Sequence, residues 1–244
     1  MTKPQIKWIS RDEPPDAFPA ISSALRSPNG LLAAGGDLDP ERLLHAYEHA
    51  IFPWFDTGQP ILWWSPDPRC ILLPEDFHLA RRFNRMLKTS TFRVTFNETF
   101  DSVIAACGAQ RDGHSGTWIT PGMIAAFSKL HRLGWAHSVE VWLDDRLVGG
   151  IYGIAIGGAF FGESMFSRVA NASKVALLAL CRQLVTHEFR LLDCQVPSQH
   201  LMSLGATLMP REKFADLLRT VCIPRRRFDK WPGSPIDAML LADA

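Results

Sequence analysis

The sequence lacks the short motifs that would assign it to several common classes of protein. Its cysteines, at positions 70, 107, 181, 194 and 222, form no CxxC pair, so no zinc ribbon or thioredoxin-like motif is predicted. HExxH, GxSxG and P-loop signatures do not occur, which argues against zincins, α/β-hydrolases and P-loop NTPases. We therefore expect neither a metal nor another cofactor.

Charge of one sign and long apolar runs are also missing. The net charge is +1, with 21% charged and 47% hydrophobic residues, so any surface for nucleic acid must be local. The first fifteen residues contain no apolar signal-peptide segment, and residues 147–161 are too rich in glycine for a membrane span. These absences predict a soluble, cytoplasmic protein that makes no membrane contact.

Turn residues and short apolar runs divide the chain into two expected domains. Residues 1–66 are punctuated by glycine and proline, and Asp39 with Pro40 predicts the start of a helix. Residues 67–244 predict antiparallel strands followed by alternating helices and strands, and we expect the tail from about residue 224 to be poorly ordered. The pattern is that of an α+β fold, a small N-terminal α/β domain followed by a mixed-sheet domain of the acyltransferase type.

The central stretch, residues 147–195, predicts a hairpin, a helix and a strand. The pair Gly157-Gly158 is a two-residue hairpin turn. A helical apolar period follows Asn171, which is a suitable N-cap, and the run LLDCQV then predicts a strand.

Polar residues on that strand are candidates for a site. Side chains alternate along a strand, so Asp193 and Gln195 are expected on one face and Cys194 on the other, which excludes Cys194 as their nucleophilic partner. Glu163 lies on a neighbouring strand. The three polar groups form either a structural hydrogen-bonded cluster or a catalytic site.

A basic helix and two tryptophans allow two interpretations each. Residues 79–88 predict a helix, and no acid occurs between Asp76 and Glu98. Its basic side chains suit either a solvated surface or contacts to a phosphate backbone. Trp54 and Trp118, both in loops rich in glycine and proline, suit either the core or a binding site. The basic residues are Arg81, Arg82, Arg85 and Lys88.

From about residue 18 to residue 228 the sequence resembles the leucyl/phenylalanyl-tRNA–protein transferases. The matching blocks occur in order, among them PNGLLAAGGDL, IFPWF, ILWWSPDPR, GTWIT, FFGESMFS, NASK and LLDCQ. The resemblance implies a GNAT-like (acyl-CoA N-acyltransferase-like) second domain that has lost coenzyme A binding. The segment Arg146 to Gly150 accordingly misses the acetyl-CoA pattern at its last position and lies on the predicted hairpin.

The resemblance also implies an activity and its site. Leu or Phe would pass from Leu-tRNA or Phe-tRNA to the α-amine of proteins or peptides beginning with Arg or Lys, which then enter N-end rule degradation. Asp193, Gln195 and Glu163 would be catalytic, Trp54 and Trp118 would bind the terminal adenosine, and the basic helix would contact the tRNA backbone. The amino-acid pocket would consist of Ile151, Phe160, Met165, Leu180 and Leu184.

Two other classes remain open at this point. An acetyl-CoA-dependent enzyme or a cell-wall peptide transferase of related fold would use a similar sheet, although the missing pyrophosphate loop argues against the former. A non-catalytic RNA-binding module would leave the acid–amide cluster without a role.

Overall fold

The described part of the chain forms two β-sheets with helices packed against them. A computed structural model describes residues 6–109 and 119–242. The mixture of helices, parallel strands and antiparallel strands confirms the predicted α+β class. The strands are β1 (Lys7–Ile9), β2 (Leu31–Gly35), β3 (Phe52–Pro53), β4 (Leu62–Trp64), β5 (Arg69–Leu72), β6 (Arg93–Phe96), β7 (Ala136–Leu143), β8 (Arg146–Ile156), β9 (Ala159–Ser167), β10 (Leu191–Gln195), β11 (Thr207–Met209) and β12 (Ile236–Asp237).

The helices follow the apolar periods of the sequence. They are α1 (Pro40–Glu48), α2 (Arg81–Lys88), α3 (Phe100–Gly108), α4 (Pro121–Arg132), α5 (Ala172–Thr186), α6 (Gln199–Ser203) and α7 (Arg211–Val221), with short 3₁₀ helices at Ile21–Ser23, Pro74–Asp76 and Ala238–Leu241. Thr120 followed by Pro121 is a sequence signal for a helix start, and α4 begins there. The Thr120 hydroxyl accepts a hydrogen bond from the backbone N–H of Met123 at 3.3 Å. Asp39 precedes α1 but does not cap it, and its carboxylate instead pairs with Lys129 at 3.0 Å.

The small sheet has the order β1-β2-β4-β3 and precedes the large sheet in the chain. The apolar side of the small sheet packs into the same core as the large sheet. Leu43 and Tyr47 of α1 belong to the same buried cluster as Phe161 of β9 and Phe214 of α7. One continuous core therefore holds α1 against the large sheet.

The large sheet has the order β11-β5-β10-β9-β8-β7-β6-β12. Strands β8 and β9 form the predicted hairpin around Gly157-Gly158, and Gly157 has a φ of +58° that glycine adopts without strain. Strand β10 lies parallel to β9, so α5 is the crossover between them. Asn171 precedes α5 but has a left-handed backbone (φ +70°) and no side-chain cap, contrary to the predicted capping role.

Strand β10 does not keep the simple alternation predicted for it. Asp193 pairs with Ile71 of β5 and Gln195 with Cys70, so Cys194 is the extra residue of a β-bulge. Gln195 has a φ of +61°, in the left-handed region that few residues other than glycine adopt. The inserted residue interrupts the period of two, but Cys194 still packs on the α5 side of the sheet. Gln195 instead bonds to Glu163, which also accepts from Tyr47 of α1.

The tail that was expected to be poorly ordered follows a packed course as far as residue 242. The Trp231 ring packs edge-on against Phe228 at 4.9 Å between centroids, and the Arg225 guanidinium pairs with Glu41 and Glu48 at 2.8 and 2.6 Å. The polar, proline-rich composition of the tail conceals the ion pairs, since Glu41 and Glu48 lie far from Arg225 in sequence.

Candidate active site

A buried ion pair supports the end of β10. Both guanidinium nitrogens of Arg69 that face Asp193 donate to its carboxylate, Nε to Oδ1 at 2.9 Å and Nη2 to Oδ2 at 2.7 Å. The side chains are 1% and 0% exposed. Oδ1 also accepts the backbone N–H of Gln195 at 2.9 Å. Asp193 therefore holds the bulge in place through the backbone of Gln195.

Arg69 also connects this strand to the small sheet. Its Nη1 donates to the carbonyl of Ala50, which follows α1, at 3.1 Å. The guanidinium lies 4.7 Å from the centre of the Phe52 ring and 4.8 Å from that of Phe214. A buried cation is tolerated only when it is paired and hydrogen bonded. The Nε, Nη1 and Nη2 groups of Arg69 each donate a hydrogen bond.

A hydrogen-bonded chain joins the amide to the second acid. Gln195 Nε2 donates to Glu163 Oε1 at 2.8 Å, and the Tyr47 hydroxyl donates to the same oxygen at 2.7 Å. Burial, followed by the charge of Glu163, raises the pKa of Tyr47 well above its ordinary value, so its hydroxyl stays a donor. Among the described residues, neither Gln195 Oε1 nor Glu163 Oε2 has a hydrogen-bond partner.

Glu163 has an unusual affinity for its proton. Burial raises its pKa to about 7, while the hydrogen bonds from Tyr47 and Gln195 act in the opposite direction. The side chain is only 8% exposed. A carboxyl group that titrates near neutral pH inside a cavity can both accept and release a proton under cellular conditions.

Two cavities meet at this chain of residues. Glu163, Cys194 and Gln195 line both. The larger cavity, of about 290 Å³, extends toward Trp54 and the loop after β10. The smaller, of about 90 Å³, is closed by apolar side chains from β8, β9, β10, α5 and α6. Those side chains are Ile151, Met165, Leu177, Leu192 and Leu201.

The small cavity is lined by two of the five residues that the resemblance assigns to an amino-acid pocket. These two are Ile151 and Met165. Phe160, Leu180 and Leu184 are instead buried in the core, each no more than 1% exposed, and none of them lines the cavity. Periodicity places these residues inside the protein but cannot separate a core position from a cavity wall.

Trp54 lies at the mouth of the larger cavity and is 42% exposed. Its ring is tilted by 55° against that of Trp64, with centroids 5.6 Å apart, and the Trp64 indole N–H donates to the Trp54 carbonyl at 2.6 Å. A partly exposed, supported ring can stack with a base. Trp118, the other expected adenosine-binding residue, lies outside the described residues.

The basic helix presents its charges to solvent. Phe83 and Leu87 anchor α2 in the core, while the four basic residues are exposed. None of those four forms an ion pair with any residue in the described part of the chain. The helix therefore carries uncompensated positive charge, which both sequence interpretations allow.

Sequence reasoning missed Arg69, Tyr47 and Leu177. Arg69 begins a short strand and Tyr47 continues the apolar stripe of α1, so neither has a local pattern that marks a site. Leu177 follows the helical period of α5 like its core neighbours. These three residues are recognisable only in the folded protein, where α1, β5 and α5 pack around β10.

Three further features concern metal ligands, membrane spans and the segment compared with the acetyl-CoA pattern. Across 6–109 and 119–242 no group of three or more metal-ligating side chains is close enough to hold an ion, and no helix is long and apolar enough to cross a membrane. The segment Arg146 to Gly150 lies on strand β8, as predicted. A Cβ atom at Gly149 would lie 2.6 Å from that of Ala172, so the first turn of α5 packs directly on this strand.

Comparison with known proteins gives a consistent result. Residues 71–219 match the family described as leucyl/phenylalanyl-tRNA protein transferase, and residues 36–67 match its N-terminal domain. Proteins named leucyl/phenylalanyl-tRNA--protein transferase are similar over most of the chain. The protein from Chromohalobacter salexigens is 57% identical over 90% of this chain and 86% of its own length. The protein from Ectopseudomonas mendocina is 54% identical over 91% of this chain and 97% of its own length. The protein from Pseudomonas paraeruginosa is 53% identical over 95% of this chain and 99% of its own length.

Proposed function

Because this chain belongs to the leucyl/phenylalanyl-tRNA protein transferase family, we propose that it moves Leu or Phe from aminoacyl-tRNA to the N-terminal α-amine of proteins that begin with Arg or Lys. Proteins marked in this way would enter N-end rule degradation in the cytoplasm. The observation that carries the proposal is the Tyr47–Glu163–Gln195 chain at the junction of two cavities. Two cavities with one shared polar wall suit a donor and an acceptor that must meet.

The small cavity suits the aminoacyl side chain. Its walls are mostly apolar, and its polar side chains come from β9 and β10, so an aliphatic or aromatic group would be buried with its ester at the polar end. Those polar residues are Glu163, Ser164, Asp193 and Gln195. The larger cavity would receive the terminal adenosine against Trp54 and the incoming amine. Stacking on one aromatic ring contributes about 1–3 kcal/mol per base, and Trp118 is proposed as the second ring.

The chemistry requires orientation and a proton acceptor. An aminoacyl ester is already activated, and an α-amine with a pKa of about 7.7–8.0 is partly neutral at cellular pH. In our proposal Gln195 Oε1, which has no partner among the described residues, accepts a hydrogen bond from the amine and aligns it with the ester carbonyl. The amine nitrogen forms the new amide bond as the ester C–O bond breaks, and the tRNA 3′-terminal hydroxyl leaves.

Glu163 is the proposed acceptor of the amine proton. Its Oε2 is free among the described residues, and its pKa of about 7 is close to the optimum for a general base at neutral pH. Asp193 is less suitable, because Arg69 and the Gln195 backbone occupy its oxygens. We therefore assign Asp193 to positioning, and Glu163 with Gln195 to contact with the reacting groups.

Domain division and fold relationship form part of the same proposal. We propose a boundary between residues 66 and 67, supported by the separate small sheet and by the match of residues 36–67 to the family's N-terminal domain. We propose that residues 67–244 form a GNAT-like domain, supported by the β6–β9 meander and the parallel β9–α5–β10 unit. The close packing of Ala172 on Gly149 supports the loss of a pyrophosphate site.

Transfer of radiolabelled leucine from Leu-tRNA to a peptide with N-terminal Arg tests the proposal. We expect labelled peptide from wild-type protein, and a kcat at least ~10²-fold lower for Gln195→Ala. A peptide with a blocked N-terminus should accept no label. Acetyl-CoA offered in parallel should not be used. Acetylation of the peptide without leucine transfer would contradict the proposal.

A further inference from the structure

Two cysteines face each other across strands β5 and β10 beside the candidate active site. Cys70 pairs in register with Gln195, and Cys194 is the extra residue of the bulge opposite it. Both side chains lie on the side of the sheet that packs against α5. Opposed residues on neighbouring antiparallel strands have Cα atoms about 4.5–5.5 Å apart, within the range of about 4.4–6.8 Å that a disulfide requires.

The two cysteines are neighbours on adjacent strands but differ in access. The Cys194 thiol donates to the Leu192 carbonyl at 4.0 Å. Cys194 is partly exposed and lines both cavities, whereas Cys70 is fully buried and lines neither. A small reagent in either cavity would therefore reach the pair from the Cys194 side.

The proximity of the two thiols makes their acidity unequal. The neighbouring Cys194 side chain lowers the pKa of Cys70, Cys70 in turn raises the pKa of Cys194, and the nearby Arg69 guanidinium contributes to the lower value. A thiolate is the reactive form of cysteine toward oxidants. The other three cysteines are buried at separate positions on α3, α5 and after α7.

We propose that Cys70 and Cys194 are a modification site, a thiol pair that a small peroxide oxidises to an intramolecular disulfide. A thiolate of the pair attacks one peroxide oxygen, the O–O bond breaks, and a sulfenic acid and water result. The second sulfur then displaces the sulfenic oxygen as water and forms the S–S bond. In sum, two thiols and one hydrogen peroxide give one disulfide and two waters.

Formation of this bond would alter the site. An S–S distance of about 2.05 Å is shorter than any thiol contact, so the bulge and the attached Gln195 must move relative to β5. Displacement of an orienting group by about 1 Å can lower a rate on the order of 10²-fold. We therefore expect the oxidised protein to lose transfer activity, a consequence that rests on the proposed function, while the cross-link itself does not.

Treatment of the full-length protein with hydrogen peroxide tests both parts. Non-reducing peptide mapping should identify a link between Cys70 and Cys194, with a loss of two hydrogens in the intact mass. Leucine transfer should fall at least about tenfold and recover with dithiothreitol. Cys70→Ala and Cys194→Ala should each abolish the link, and Cys181→Ala, which changes a buried thiol on α5, should leave it intact.

The two readouts keep the proposals separable. A wild-type protein that transfers no leucine before oxidation contradicts the proposed function, yet mapping still decides the thiol pair. Over-oxidation of Cys194 without the link overturns the thiol pair. A link that leaves transfer unchanged overturns its expected effect on activity.

Discussion

Arg69 and Asp193 form two hydrogen bonds of 2.9 and 2.7 Å in the core, although 124 positions separate them in the chain. The pair joins the first strand of the large sheet to the bulge that carries Gln195. Because Asp193 also accepts the Gln195 backbone N–H, the geometry of the amide depends on the buried ion pair. Activity and stability should therefore be coupled at this point.

Removal of one partner of this pair should destabilise the fold. We expect Arg69→Ala to lower the free energy of unfolding by about 3–5 kcal/mol, because Asp193 is left as an unpaired buried charge. Urea unfolding measures the change. Arg93→Ala is the matched control, since its pair with Asp145 is exposed at 3.7 Å and should contribute nothing measurable. Equal stability of the two variants would contradict a structural role for the buried pair.

Glu163 should make stability depend on pH. Its carboxyl ionises near 4.5 in the unfolded chain and near 7 in the folded protein, so between these values only the folded state keeps the proton. The free energy of unfolding should fall as pH rises through this window, by on the order of 3 kcal/mol. Glu163→Gln should remove this part of the dependence.

Chemical denaturation of wild type and Glu163→Gln at a series of pH values measures the effect. Glu140→Gln is the control, because Glu140 is also buried with a raised pKa but contacts Thr95 of β6 and Ser138 of β7 and lines neither cavity of the candidate site. The Glu140→Gln variant should keep the pH dependence of stability that Glu163 contributes. Parallel curves for wild type and Glu163→Gln would show that the carboxyl titrates as it does in solution.

Leu177 and Leu180 should respond differently to truncation. Both are buried on α5, but only Leu177 lines the 90 Å³ cavity. Leu177→Ala should enlarge that cavity and raise kcat/KM for Phe relative to Leu about tenfold, the scale at which methylene-sized changes act. Leu180→Ala should cost about 2–5 kcal/mol of stability and leave the ratio unchanged. A ratio that shifts in Leu180→Ala alone would return the pocket to the arrangement implied by the family resemblance.

The basic helix should contribute to tRNA binding through phosphate contacts. Replacement of Arg81, Arg85 and Lys88 by Ala should make the log–log salt dependence shallower by roughly 0.7–0.9 per lost contact. The preference between Leu and Phe should not change, since phosphate contacts position RNA without reading the amino acid. Substitution of Lys213 and Arg219, exposed basic residues on α7, is the control. An unchanged slope in the α2 variant would identify that helix as solvated surface.

The sequence by itself determined the family, the α+β class and the positions of most elements. Ordered motifs identified the family, as the comparisons confirm. Local signals were sufficient for the Gly157-Gly158 hairpin and for the Thr120 cap, because the atoms concerned lie within a few residues of one another. The same locality identified Glu163, Asp193 and Gln195 as unusual polar groups on core strands.

Only the tertiary structure decided how those groups interact. The bulge at Cys194 depends on the pairing of β10 with β5. Asp193 pairs with Arg69 at the start of β5, and Glu163 accepts a hydrogen bond from Tyr47 of α1. The distinction between Leu177 and Leu180 arises in the same way, because helical period fixes burial but not what lies opposite. Contacts between residues more than a hundred positions apart leave no periodic trace in a single chain, and they assemble the candidate site.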